Sequence, residues 1–161
     1  MTTPAYVWDD RFLKMAREVA SWSKDSTKIG AIVVDKHKRI LTQGYNGFPR
    51  GIADDERRLK NRELKLKYVV HAEMNCIYNA CHHGVSLDGG MLYVSGLPCC
   101  SDCAKGVIQS GIKTVIMEFD QTLMDGPWGE SWKLSEEMFN ESGVYHAIYP
   151  IQNSHRLYSQ S

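Results

Sequence analysis

The chain lacks any apolar run approaching the roughly 20 residues that a membrane-spanning helix needs. It also lacks a basic segment followed by an apolar stretch at Met1-Thr2-Thr3-Pro4, so no export signal and a cytoplasmic location are expected. Net charge is absent: 19 Lys and Arg balance 19 Asp and Glu. A zero balance argues against the basic face of a nucleic-acid binder and leaves a small charged ligand open. Neither an internal repeat nor a low-complexity segment interrupts the chain. The cysteines do not come in an even number: there are five, three of them crowded at Cys99, Cys100 and Cys103. That distribution suits metal ligation in a reducing compartment better than a disulfide framework. What remains is 161 residues, 43% hydrophobic and 24% charged, enough for one domain over residues 1–161 with a real core.

Helical and strand patterns alternate along this chain. Trp8, Phe12, Met15, Val19 and Trp22 step by fours and threes, which predicts a first helix ending near Lys24-Asp25. Ile29 to Val34 and Ile40 to Tyr45 read as an antiparallel hairpin around a polar turn. Gly44 to Gly51 reads as a shaped loop, because its residues tolerate unusual backbone angles. Between Arg50 and Lys67 stand seven basic and four acidic side chains, with a short exposed helix around Glu56 to Lys65. That stretch reads as a solvated charged face or as a basic flap over a phosphate. Further helices are predicted over Ala72 to Ala80, ended by Gly84, from near Cys100 to Gln109, and from Ser131 to Glu141. Strands are predicted at Met91 to Ser95, Thr114 to Met117 and Tyr145 to Ile148. Strand, helix, strand, helix, strand implies right-handed parallel crossovers, hence a three-layer α/β sandwich on a five-stranded mixed sheet.

Two segments carry chemistry: His71-Ala72-Glu73 and Pro98-Cys99-Cys100-Ser101-Asp102-Cys103. Together they offer one imidazole, two thiolates and a carboxylate that need not bind metal. Three protein ligands leave a tetrahedral zinc one position for water, whose protons the glutamate can move. A structural zinc would leave Glu73 unexplained. Cys100 and Cys103 fall on a helical first turn, where the positive helix end favours thiolates and positions i and i+3 share a side. Cys99 with Cys103 stays available as the other pair; Cys99 is otherwise a packed thiol. His82 and His83 read as residues at a helix C-terminus, His37, His146 and His155 as surface residues, and Cys76 and Cys81 as core or boundary thiols. Trp128 and Trp132 read as packing residues, with Asp125 to Trp128 able to form part of a lid.

The pattern of His71, Glu73, Pro98, Cys100 and Cys103 resembles the H-x-E and P-C-x-x-C signature of the zinc-dependent cytidine deaminase superfamily. Trp8-Asp9, Ser23-Lys24-Asp25, Ile29-Gly30-Ala31, Gly44-Tyr45-Asn46-Gly47, Cys103-Ala104-Lys105 and Gly111-Ile112-Lys113 resemble its deoxycytidylate (dCMP) deaminase branch, from about Trp8 to the last strand. The extra Cys99 between the proline and Cys100 departs from the pattern. The resemblance implies the α/β/α deaminase fold and one catalytic Zn2+ on His71, Cys100 and Cys103. It implies that Glu73 shuttles protons while dCMP is hydrolysed to dUMP and ammonia, feeding thymidylate synthesis. It places Lys28 near the 5′-phosphate, Asn46 at the sugar and the Ala72 backbone at the cytosine edge. It further implies a regulatory dCTP or dTTP, with Mg2+, on Gly44, Tyr45, Asn46, Gly47 and Arg50, acceptance of dCTP as substrate, and a homohexamer. Alternatives are a deaminase of tRNA adenosine or free cytidine, and a non-catalytic zinc-stabilised module.

Overall fold

The computed structural model describes residues 1–151, so His155 lies outside the described residues. One mixed sheet organises the chain. Its strands are β1 (Gly30–Val34), β2 (Ile40–Tyr45), β3 (Met91–Gly96), β4 (Thr114–Phe119) and β5 (Tyr145–Pro150), in the order β2-β1-β3-β4-β5. β2 and β1 form the expected antiparallel hairpin. Asp35 shapes its turn by accepting from the backbone amides of His37 and Arg39 at 2.8 and 3.0 Å. β1 pairs antiparallel with β3, whereas β3, β4 and β5 are mutually parallel, as the alternating pattern requires.

Each strand sends alternate residues to opposite faces. Ile32, Val34, Tyr93 and Ile116 pack against Phe12, Leu13, Ala16 and Val19 of α1 (Ala5–Ala20). Ala31, Val33, Leu92, Val94, Val115 and Met117 pack on the other side, against α4 (Ala72–His83), α5 (Ser101–Gln109) and α6 (Pro127–Ser142). The result is three layers, with α1 the one helix on its face among the described residues. Burying each of these aliphatic or aromatic side chains contributes about 1.5–3 kcal/mol. No helix among the described residues is long and apolar enough to cross a membrane.

α1 ends at Ala20, earlier than its apolar spacing suggested, and its buried stripe is Asp9, Phe12, Leu13, Ala16, Val19 and Ala20. Met15 and Trp22 are exposed. Gly30 permits a close approach: a Cβ there would meet the Ala16 carbonyl at 2.0 Å and the Ala20 amide nitrogen at 2.5 Å, so the backbone of α1 lies directly on the start of β1. Asp9, buried on this face, accepts hydrogen bonds from Tyr93 of β3 at 3.0 Å and Tyr149 of β5 at 2.8 Å. A buried carboxylate on an otherwise apolar stripe is thereby satisfied.

The charged segment forms two short helices, α2 (Glu56–Lys60) and α3 (Arg62–Tyr68), capped by Asp55 and Asn61 respectively. Gly84, in the left-handed conformation, ends α4 as expected. α6 begins at Pro127, four residues before the expected start, because proline suits a helical first position. His146 is not a surface residue: it is partly buried, packs against Trp132 and Phe139, and lies 3.3 Å from Glu136.

Gly44 and Tyr45 belong to β2 and not to the following loop. A Cβ on Gly44 would stand 2.6 Å from the Cys76 amide and 2.7 Å from the Ala72 carbonyl, so β2 and α4 touch backbone to backbone. Gly44→Ala is therefore expected to destabilise the protein by about 1–3 kcal/mol, read as a drop of several degrees in melting temperature. An unchanged melting temperature would show that α4 shifts freely.

Candidate active site

The site assembles where two helices begin. His71 is the N-cap residue of α4 and Cys100 that of α5, both with extended backbone. The first amides of a helix have no intrahelical acceptor, and these two positive ends point the same set of side chains together. Gly47 fixes the approach to α4 by pairing with Val70 through reciprocal backbone hydrogen bonds of 3.1 and 2.8 Å. On the α5 side, Ser135 donates to the Cys99 carbonyl at 2.8 Å, and Ser131 accepts from the Ser101 amide at 3.0 Å. These two serines of α6 buttress the Pro98–Cys100 bend. Their role depends on a contact 30 or more residues distant, which no local pattern announces.

The donor atoms that converge are His71 Nδ1, Cys100 Sγ and Cys103 Sγ, all within 4.8 Å of one another. Nδ1 lies 3.4 Å from the Cys100 sulfur and 3.3 Å from the Cys103 sulfur. Tetrahedral zinc, at about 2.3 Å from sulfur and about 2.0 Å from nitrogen, needs nitrogen and sulfur about 3.5 Å apart. The three side chains fit that ion and leave a fourth position. Cys99 is not among the converging donors: its fully buried sulfur faces the Cys100 carbonyl at 3.7 Å, and burial pushes its thiol well above the usual range.

Charge in the cluster follows from its hydrogen bonds. The neighbouring Cys103 thiol, and His71 next, hold Cys100 as a thiolate, down to about 4. Cys103 moves in the opposite direction, chiefly because its proton is shared with Cys100. His71 is raised to about 8 by its bond to Cys100. Without metal, the Cys100 thiolate and the His71 imidazolium therefore coexist between about pH 4 and pH 8. Glu73, 4% exposed in the first turn of α4, is pushed up to about 7 by burial.

Glu73, His71 and Cys100 line a cleft of about 350 Å³. Its apolar wall is Leu66, Val69, Leu97, Pro98 and Trp128, and its polar side is Asp25, Ser26, Thr27, Asn46, Arg62 and Lys65. Asn46 lies in the lining, with both ends of its carboxamide engaged: Oδ1 accepts from the Ile29 amide at 2.9 Å and Nδ2 donates to the Thr27 carbonyl at 2.7 Å. Ala72 is fully buried at the first position of α4. Lys28 donates to the Ser23 carbonyl and is not part of the lining. Tyr45 stacks edge-on with Trp22 and Arg50 bonds Asn79, both outside the lining. The flap suggested by sequence supplies Arg62 and Lys65; their i, i+3 spacing was the available signal.

The comparisons agree with this geometry. An uncharacterized deaminase in the luxG 3′ region of Aliivibrio fischeri is 39% identical over 145 residues, covering 89% of this chain and 95% of that protein. The deoxycytidylate deaminase of Homo sapiens is 38% identical over 120 residues, covering 71% of this chain and 66% of that protein. Among solved structures, the dCMP deaminase of cyanophage S-TIM5 in complex with dCMP and dUMP is 25% identical. It superposes with a TM-score of 0.70, covering 92% of this chain and all of that one. The family model for the cytidine and deoxycytidylate deaminase zinc-binding region matches residues 6–119, which span both ligand segments and Glu73. With the helix-start cluster at its centre, the chain belongs to this zinc-binding deaminase family.

Proposed function

We propose that the protein is a zinc-dependent deaminase that hydrolyses dCMP to dUMP and ammonia, supplying the substrate for thymidylate formation. The observation that carries the reading is a three-donor cluster beside a buried carboxylate in a cleft of nucleotide size. His71, Cys100 and Cys103 would hold Zn2+, which when bound supplies an electrophilic cation able to bring the pKa of water close to neutrality.

Glu73 does the proton work. Burial keeps its carboxyl near the neutral range, where both of its forms are accessible. It accepts a proton from the attacking water and passes it to the ring nitrogen of cytosine as the water oxygen bonds carbon 4. It then takes the proton of the new hydroxyl group on carbon 4 and delivers it to the amino group, which leaves as ammonia as the carbon–nitrogen bond breaks and the carbonyl forms. Leu97, Pro98 and Val69 keep bulk water from the ring. Ala72 would read the cytosine edge with backbone at the start of α4, and Asn46 would face the sugar from a loop already held rigid.

Regulation by dCTP or dTTP, and use of dCTP as a substrate, extend this reading. The exposed Tyr45 and Arg50, beyond the cleft lining, support an effector surface distinct from the site. Exposed Trp22, Ile40, Tyr45 and Tyr78 beside the edge strand β2 support a homo-oligomer.

Glu73→Gln is expected to keep stoichiometric zinc and to lose about two to four orders of magnitude in dCMP turnover, followed as ammonia release. An active variant would remove the shuttle. Cys100→Ser should lose zinc while Cys99→Ser retains it by elemental analysis; the reverse would move the ligand to Cys99. A pH dependence follows from the charges of the metal-free cluster. Below about pH 8 an incoming ion displaces one proton from His71 and one from Cys103, so apparent zinc affinity should rise about a hundredfold per pH unit between 6 and 7. Competition with a chelator at the two pH values checks the slope; a flat response would show that the ligands are already deprotonated.

A further inference from the structure

The cleft holds its charged groups unequally. Two cationic side chains of the flap line it, Arg62 and Lys65, one helical turn apart on α3. Lys65 is already committed: its ammonium lies 2.8 Å from the Asp25 carboxylate, in an ion pair whose side chains are 15% and 7% exposed. That carboxylate also accepts from the Thr27 amide at 3.0 Å, so Lys65 ties α3 to the loop forming the opposite wall. The Arg62 guanidinium has no hydrogen bond or ion pair with any described residue, although Asn61 caps α3 immediately before it, accepting from the Leu64 amide at 3.0 Å.

The remaining charges of the cleft cancel or serve the reaction. Asp25 offsets Lys65, and two thiolates with a neutral imidazole offset a bound Zn2+. Glu73 is buried at the chemical end. Among the described residues, Arg62 is thus the one uncompensated cation in the lining, at the flap side of a cavity that Glu73, His71 and Cys100 also line. A planar guanidinium with five donors suits a terminal phosphate, which it can grip through two parallel hydrogen bonds.

We infer that Arg62 is the specificity-determining residue that recognises the 5′-phosphate of a nucleoside monophosphate, and that the Lys65–Asp25 pair positions it over the cleft. The inference rests on the dCMP reading and deepens it. It moves phosphate recognition from Lys28, whose ammonium donates to the Ser23 carbonyl and lies outside the cleft lining, to the flap. The Thr27 hydroxyl in the same lining supplies a further donor to the anion, whereas the Ser26 hydroxyl donates to the Asp25 carboxylate at 3.4 Å. A nucleoside without phosphate gains nothing from these groups.

The test compares kcat/KM for dCMP and for deoxycytidine in the zinc-loaded wild type and in Arg62→Ala, Arg62→Lys and Lys28→Ala. Loss of a charged hydrogen-bonding partner corresponds to about a 10- to 150-fold fall in the dCMP to deoxycytidine ratio for Arg62→Ala. Arg62→Lys should recover part of that ratio, having the charge without the fork. Lys28→Ala should leave the ratio within about twofold. Calorimetric binding of dUMP and deoxyuridine gives a readout independent of turnover, and Arg62→Ala should weaken only dUMP. An unchanged ratio in Arg62→Ala, or a selective loss in Lys28→Ala, overturns the inference while leaving the deaminase reading intact. Zinc-loaded wild type without action on dCMP overturns both.

Discussion

The encounter of two helix beginnings governs this molecule. Neither α4 nor α5 can satisfy its own first amides, and each places a metal-ligand candidate at its cap instead of a conventional hydroxyl or carboxylate. Both ends set up an electropositive field that tolerates sulfur as thiolate, while hydrogen bonds from Cys103 and then His71 hold Cys100 far below the usual thiol range. That same field would repel a bare cation, so the donors must be close and anionic before an ion is held. The packing behind them supplies the closeness. Gly44 lets β2 press on α4, the Gly47–Val70 bridge fixes the chain entering it, and Ser131 with Ser135 fixes the bend entering α5.

Much of this was legible in the residues, and the boundary between legible and hidden is physical. The order of strands and helices followed from periodicity, since β3, β4 and β5 are apolar runs between amphipathic helices and their crossovers admit one hand. The pairing of Cys100 with Cys103 followed from spacing, because i and i+3 share a helix face, and His71 meets them from the start of another helix. The end of α1 did not: Trp22 continues the apolar period, yet the chain turns at Ala20 and leaves the indole exposed. Asp9 was hidden for the opposite reason, a charged residue on a buried face whose partners lie on distant strands. Where Gly44 and Tyr45 sit was also hidden, since glycine marks a loop in sequence and a close approach in space.

Residues of the cleft divide along the same line. His71 and Glu73 are near neighbours in sequence and diverge only because α4 starts between them. Asn46, Asp25 and Lys65 instead form a frame of hydrogen bonds and one ion pair linking segments 17 to 40 positions apart. Such a frame fixes the polar wall before any ligand arrives, and preorganised polar groups lose little entropy on binding. Arg62, at the end of that frame and without a side-chain partner among the described residues, is the exception, and unpaired charge beside paired charge is what a binding surface looks like in an otherwise neutral protein.

The tie from Asp9 to Tyr93 and Tyr149 also orders events in time. α1 is synthesised first, yet its buried carboxylate acquires the second phenol only 140 positions later, when β5 adds to the sheet edge. Until then docking α1 would leave a charged group short of donors in an apolar layer. The polar tie on this face is therefore completed by a contact of high sequence separation, even though the apolar face of α1 packs on β1, β3 and β4.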